Sequence, residues 1–244
     1  MGTMSTTPPQ PPPDQPIPPP QEMSLPARRK TRRISRLIGI SILVCLGMIL
    51  PVWFFAARQL AIADAVEARD NMSAVGGMLI EFGGEYGSFP SASTALEVKE
   101  ATGTPLTLGS SSSNQLFRQL VAAGGGASEK PFWAKTAISP KKPDDILHND
   151  ATALVKGECG FAYVAGLSAR SDPGRPLLLC PLEPGKLTFD PVPFKGKAVI
   201  LTLGHTGVIH DIDKHGRVIV NGMDIFDPKQ PFWKGKTPDV KWPE

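Results

Sequence analysis

A few residues of this 244-residue chain are of types that could do chemistry, and their spacing decides which chemistry is open to each. Cys159 and Cys180 are too far apart for a C-x-x-C redox centre. Asp211-Ile-Asp213-Lys-His215-Gly216 has the D-x-D-x-x-G spacing of the first half of a calcium loop, in which carboxylate oxygens take alternate ligand places. The match then fails: His215 stands at the third ligand place, and Gly222 stands where a bidentate glutamate belongs. An ordinary hairpin turn at Lys214-His215-Gly216 is the favoured reading, with Asp211 and Asp213 kept as weak calcium candidates and Asn221, Asp224 and Asp227 as distant ones. His205, His210 and His215 recur at five-residue steps, which on strands alternate between faces and do not build a three-histidine site. H-E-x-x-H, a phosphate loop and a G-x-S-x-G elbow are all missing from the sequence. No catalytic constellation is expected, and a non-enzymatic role follows.

These residues must be positioned by the elements before them, and the first of these is a membrane anchor. Leu37–Ala57 carries no charged residue, and Ser41 is its only strongly polar side chain. A run of ~18 or more apolar residues spans a bilayer as a helix. It exceeds the ~7–15 residues of a signal-peptide apolar region, and no clear cleavage site follows it. Arg28, Arg29, Lys30, Arg32, Arg33 and Arg36 precede the run, whereas Arg58 after it is soon offset by Asp64 and Glu67. Positive residues stay cytoplasmic, so the N-terminus is predicted inside and the bulk of the chain outside. Trp53, Phe54 and Phe55 fall where aromatic rings favour the outer headgroup layer. With Cys159 and Cys180 in an oxidising compartment, a structural disulfide between them is expected. It would close a loop worth ~3 kcal/mol; two reduced, buried thiols are the alternative.

Charge narrows the partners. Residues 1–36 carry six positive charges against Asp14 and Glu22, a net +4, which leaves −1 of the total +3 for the rest. A near-neutral outer domain argues against nucleic acid. Residues 8–20, PPQPPPDQPIPPP, favour an extended polyproline II strip. It reads as a spacer, with docking of a cytoplasmic partner as the sharper alternative. The predicted organisation is thus a proline-rich and basic tail at 1–36, a transmembrane helix at 37–57 and an extracytoplasmic domain at 58–244.

Helical character continues past the span. Arg58–Phe82 lacks proline, and Ile62, Val66, Met72, Val75, Leu79 and Phe82 recur mostly at three- and four-residue steps, which predicts one amphipathic face. Gly76-Gly77 invites close approach of another backbone, and Gly83-Gly84 is predicted to end the helix. Tyr86-Gly87-Ser88-Phe89-Pro90 comes next. A membrane helix continuing into an amphipathic half and closing on a Y-G-x-[YF]-P turn resembles the type IV pilins and type II secretion pseudopilins. The resemblance covers about residues 37–90 and, more loosely, the strand-rich C-terminal part. It implies an α+β fold with an antiparallel sheet against the distal half of the helix, and calcium near the C-terminus. It also implies a role as a structural or assembly subunit of a secretion or pilus-like system in a bacterial cell envelope.

The chain departs from that family where prepilins are cut. In Gly39-Ile40-Ser41-Ile42-Leu43-Val44, Val44 stands at the place of the family's glutamate. The expected state is an uncleaved single-pass protein of the inner membrane, N-terminus in the cytoplasm, with partners or further copies of itself meeting the anchor and stem. An anchored ligand-binding or scaffolding module is the alternative.

Downstream, Ala92–Thr102 reads as a helix with Ala95, Leu96 and Val98 on one side, and Asn114–Ala123 as another with Leu116, Phe117, Leu120 and Val121 inward. Residues 129–150 read as a polar surface excursion. Strands are predicted at Gly160–Ala165, Pro176–Cys180, Lys197–Leu203, Val208–Asp213 and Arg217–Val220, close enough in sequence for an antiparallel sheet. Phe226–Glu244 reads as extended coil pinned by Trp233 and Trp242.

Overall fold

The structure, a computed structural model, describes residues 28–204 and 207–244, with side chains at Trp53, at Ala56 and from Arg58 onward. The proline-rich strip, the side chains of the basic cluster and of 37–52 (Val44 and Cys45 included), and His205 lie outside the described residues. Among the described residues no helix is long and apolar enough to cross a membrane. The chain divides into two units, Met1–Val52 and Trp53–Glu244. Helix α1 is assigned over Arg28–Tyr86, and all of its described side chains belong to the second unit.

The second unit is α+β. Helices α2 (Thr94–Thr102) and α3 (Ser113–Ala122) precede strands β1 (Ala162–Ala165), β2 (Pro176–Cys180), β3 (Lys197–Thr202) and β4 (Gly207–Asp211). Then come β5 (Ile219–Val220), β6 (Met223–Asp224) and β7 (Asp239–Lys241). Five strands form one antiparallel sheet in the order β4-β3-β2-β1-β7, and β5-β6 is a separate hairpin. Leu177–Cys180 and Ala198–Leu201 are buried at every position, so both faces of the sheet centre are covered. That explains why these strands read as continuous apolar runs rather than alternating ones.

Helix α1 meets this sheet through a stripe that differs from the predicted one at its proximal end. Met72, Val75, Leu79 and Phe82 are buried as predicted, but Ala61, Ala65 and Ala68 continue the line, while Ile62 is 41% exposed and Val66 only half-buried. Small side chains let the helix lie close, and the larger β-branched ones are turned aside. Gly76 shows how close: a Cβ there would come within 2.6 Å of Leu201 Cδ2 on β3. Gly77 faces open space.

The helix also passes through Gly83-Gly84 rather than ending there, and stops at Tyr86. Gly87 takes the left-handed conformation (φ +72°) that ends a helix at low steric cost for glycine. Gly83 has a different use: a Cβ there would strike the Phe89 ring at 2.9 Å, so its absence lets Phe89 fold back onto the last turn.

Other expectations shift. In α2 the inward residues are Thr94 and Val98, and Leu96 points out at 67% exposure. Residues 129–150 are not simply a surface excursion, since Glu129, Phe132, Ala134 and Ser139 are buried. Phe226–Glu244 is not all coil: β7 lies within it and pairs with β1, Val164 opposite Val240. The three residues of β7, hemmed in by Pro238 and Pro243, give too short a run to announce a strand in sequence. Trp233 is buried and donates from Nε1 to the Ile225 carbonyl at 2.7 Å, and half-buried Trp242 donates to the Lys186 carbonyl at 3.2 Å, so both act as pins.

Candidate functional site

The closing turn of α1 is the best-built of the sequence-predicted features. Tyr86 packs on Phe82 with ring centroids 4.5 Å apart. Phe89 is buried against Gly83, and the Pro90 carbonyl accepts a 3.1 Å hydrogen bond from the hydroxyl of Tyr163 on β1. Tyr163 is fully buried, and burial pushes its pKa up, so this hydroxyl stays a donor. The turn Tyr86, Gly87, Phe89, Pro90 thereby ties the end of the helix to β1, an inner strand of the sheet.

Cys159 and Cys180 are free, buried thiols, and the expected bridge between them is not formed in this structure. Cys159 Sγ is instead 3.6 Å from the Phe161 carbonyl and 3.7 Å from Ser113 Oγ, so its side chain is engaged toward α3. Burial raises the Cys159 pKa to about 12 and that of Cys180 well above its ordinary value, with the neighbouring Cys159 adding to the second shift. Neither thiol is a poised nucleophile, because the thiolate is the reactive form.

Asp211 and Asp213 are drawn to different partners. Asp211, at the end of β4, pairs with Lys197 Nζ at 2.5 Å. Asp213 accepts from the backbone N–H groups of His215 (2.8 Å) and Arg217 (2.9 Å) and from the Arg217 guanidinium (2.8 Å). The Arg217 N–H, then the guanidinium, hold its pKa at about 2. Its oxygens close the hairpin turn through Gly216 (φ +75°). Among the described residues no group of three or more histidine, cysteine or carboxylate side chains is placed to hold a metal ion. His210 lies on β4, with burial lowering its pKa, and His215 lies on the turn.

Sequence reasoning missed a polar cluster under the 129–158 segment. Glu129 is fully buried, with Oε1 accepting from the Leu154 N–H at 2.6 Å and Oε2 from the Asp144 and Asp145 N–H groups at 3.3 Å each. Its pKa is raised, first by burial, against which the Leu154 N–H works, and further by Glu158. Glu158, also buried, accepts from the Val155 N–H at 2.8 Å and is raised chiefly by burial. From α3, Asn114 donates to the Leu154 and Val155 carbonyls and Arg118 to the Ala153 carbonyl. A lone glutamate between Ser128 and Lys130 carries no periodicity, so nothing in the sequence marks it as buried.

Two clefts flank this cluster. One of about 460 Å³ is lined by Asp64 and Glu67 of α1 and by Lys130, Trp133, Lys135 and Lys142. Lys135 and Asp64 pair across it at 3.0 Å. The other, about 560 Å³, has apolar walls of Ile138, Pro140, Pro184 and Pro243, with Lys141 and Lys156 beside them.

The second unit therefore offers helix and sheet surfaces and shallow clefts, with its polar groups spent on holding segments together. Comparison with known protein families, with curated proteins and with solved structures finds no match for this chain.

Proposed function

We propose that this chain is a pseudopilin-like, non-enzymatic subunit of the bacterial cell envelope, held in the inner membrane by Leu37–Ala57 with the second unit outside. It serves a secretion or pilus-like assembly. The observation that supports this most is the way the C-terminal part of α1 is used. One face is sunk in the sheet, and the helix is closed by the Tyr86–Pro90 turn against Tyr163. A second stripe, Trp53, Ala56, Leu60 and Ala63, recurs at steps of three and four and is exposed. Apolar residues at that spacing suit packing against another helix. Val44 in the place of the cleavage-site glutamate keeps the subunit anchored and uncut.

Two experiments test it. In cells producing the full chain with Ser24→Cys or Thr237→Cys, a membrane-impermeant maleimide should label the second and not the first; the reverse pattern ends the anchored reading. A photo-crosslinker at Leu60 or Ala63 should capture a further copy or a secretion component; capture of neither ends the assembly reading.

A second reading, an anchored ligand-binding module, is favoured by the apolar cleft with Lys141 and Lys156 at its rim and Glu244 beside them, a set that suits a short apolar amino carboxylate. A panel of such carboxylates should then raise the unfolding temperature of the protein. No shift across the panel removes this reading.

A further inference from the structure

The segment that carries Glu129 runs along α1 toward the N-terminal end of the helix. A Cβ on Gly126 would come within 3.1 Å of the Met78 side chain, the Trp133 carbonyl accepts from Asn71, and Lys135 pairs with Asp64. These partners on α1 step back by seven residues each time, two helical turns, so they share one side of the helix. The cleft of about 460 Å³ lies beside the last of these contacts. Asp64 stands seven residues beyond Ala57, about 10 Å along a helix.

The charges that line this cleft fall into two sets. Lys135, Asp64 and Asp145 are already committed: the first two neutralise each other at 3.0 Å, and Asp145 Oδ1 accepts the Glu129 N–H at 2.8 Å. Glu67, Lys130 and Lys142 are exposed, and among the described residues none of the three forms an ion pair. Trp133 supplies a fixed wall, since its Nε1 donates to the Ser139 carbonyl at 3.1 Å and its own carbonyl is held by Asn71. A ligand that completes the second set brings one anionic group for two lysines and one cation for Glu67. A phosphate ester suits the lysines, because lysine binds phosphate as a point charge and even a diester keeps two free oxygens, one for each. A primary ammonium a few bonds away then answers Glu67.

We propose that this cleft binds a phosphoethanolamine group, with its phosphate between Lys130 and Lys142 and its ammonium on Glu67. Such a group arrives either as the headgroup of a lipid or as a free ester. The polar layer of a bilayer extends about 5–7 Å beyond the hydrocarbon. With Leu37–Ala57 in the membrane, the Asp64–Lys135 end of the cleft stands at the outer surface of that layer, so position favours the lipid. That source rests on the anchored reading under Proposed function, whereas the chemistry of the cleft does not.

The test uses the full chain in maltoside micelles, which hold no phosphate. It follows Trp133 emission as the difference between the chain and its Trp133→Phe variant. Glycerophosphoethanolamine should give a saturable change. Glycerophosphoglycerol, which lacks the ammonium, should bind more weakly by about two- to fivefold, the worth of an ion pair at an exposed site. Glu67→Gln should erase that preference, and Lys130→Gln and Lys142→Gln should each weaken both esters by a similar factor. Lys214→Gln, on the Gly216 hairpin turn, should change nothing. In nanodiscs, phosphatidylethanolamine in place of phosphatidylglycerol should weaken the binding of added ester if lipid is the source; an unchanged response there assigns the cleft to a free ester. No saturable change with glycerophosphoethanolamine, or equal affinity of the unaltered chain for the two esters, overturns the proposal. So does a weakening by Lys214→Gln as large as that by Lys130→Gln. The maleimide topology experiment is read separately, and the micelle titration tests the cleft whether or not the anchor holds.

Discussion

Between Ala61 and Phe82, α1 is held to the sheet by apolar side chains at helical spacing, with Gly76 setting the distance to Leu201. The 129–158 segment packs into the same domain by other means: the Glu129 carboxylate gathers three backbone N–H groups, and Asn114 and Arg118 take up the carbonyls of Ala153, Leu154 and Val155. The two regions touch where Asn71 of α1 donates to the Trp133 carbonyl at 3.0 Å. The contrast separates two kinds of adhesion. Apolar burial scales with area and tolerates many sequences, whereas a buried carboxylate is held only while its hydrogen bonds are complete. The stem should therefore fail by losing volume and the 129–158 segment by losing acceptors.

The largest effect is expected at the stem. Leu79 is fully buried, so Leu79→Ala removes packed atoms and leaves a cavity, at a cost of about 2–5 kcal/mol. Chemical unfolding of the full chain in micelles, followed by near-ultraviolet circular dichroism, measures it. A loss below about 1 kcal/mol would mean that α1 and the sheet are not packed as described.

Next comes Glu129, where the contrast can be broken by pH. Its pKa is raised in the folded protein, so the native state holds the proton more tightly than the unfolded chain does. Its contribution is fully present below the unfolded carboxylate value of ~4.3 and is lost as pH rises through the raised native value. Asp213 has the opposite sign. Its pKa is lowered to about 2, so its contribution is present above the ordinary aspartate value and lost as pH falls through about 2. Glu129→Gln should flatten the decline of stability above pH ~4 and leave the acid limb in place, while Asp213→Asn should do the reverse. At neutral pH Glu129→Ala, which strands the buried Leu154 N–H and takes the acceptor from the N–H groups of the exposed Asp144 and Asp145, should cost about 1–3 kcal/mol and raise amide exchange at Leu154 first. If both variants kept the full pH profile, the carboxylates would not be the groups that titrate.

The same contrast governs which features are legible in the sequence. The α+β class, the antiparallel sheet, the buried Met72-Val75-Leu79-Phe82 line and the hairpin at Gly216 follow from periodicity and from glycine, which act over a few neighbouring residues. Ala61, Ala65 and Ala68 yield to Ile62 and Val66 in a sequence reading because hydrophobic strength, not size, ranks residues there, and a close helix–sheet contact selects for size. Glu129 and β7 depend on residues distant in the chain, so no local pattern announces them. Cys159 and Cys180 are legible as neighbours in space, but the contacts of Cys159 with Ser113 and Phe161 are not.

The finest test lies in two adjacent glycines that the sequence cannot tell apart. Gly76→Ala and Gly77→Ala share the gain from replacing helical glycine, about 0.5–1 kcal/mol. Gly77 faces open space, so its variant should keep that gain whole. Gly76 would set a methyl 2.6 Å from Leu201 Cδ2, and overpacking costs about 1–3 kcal/mol, so its variant should lie below the other by that amount. Because the backbone term is common, the difference between the two variants isolates the approach of α1 to β3. Leu201→Ala in the Gly76→Ala background should close the gap, since it removes the atom that is struck, whereas in the Gly77→Ala background it should only open a cavity. Equal stabilities for the two glycine variants would place the helix farther from the sheet than its small-residue stripe requires.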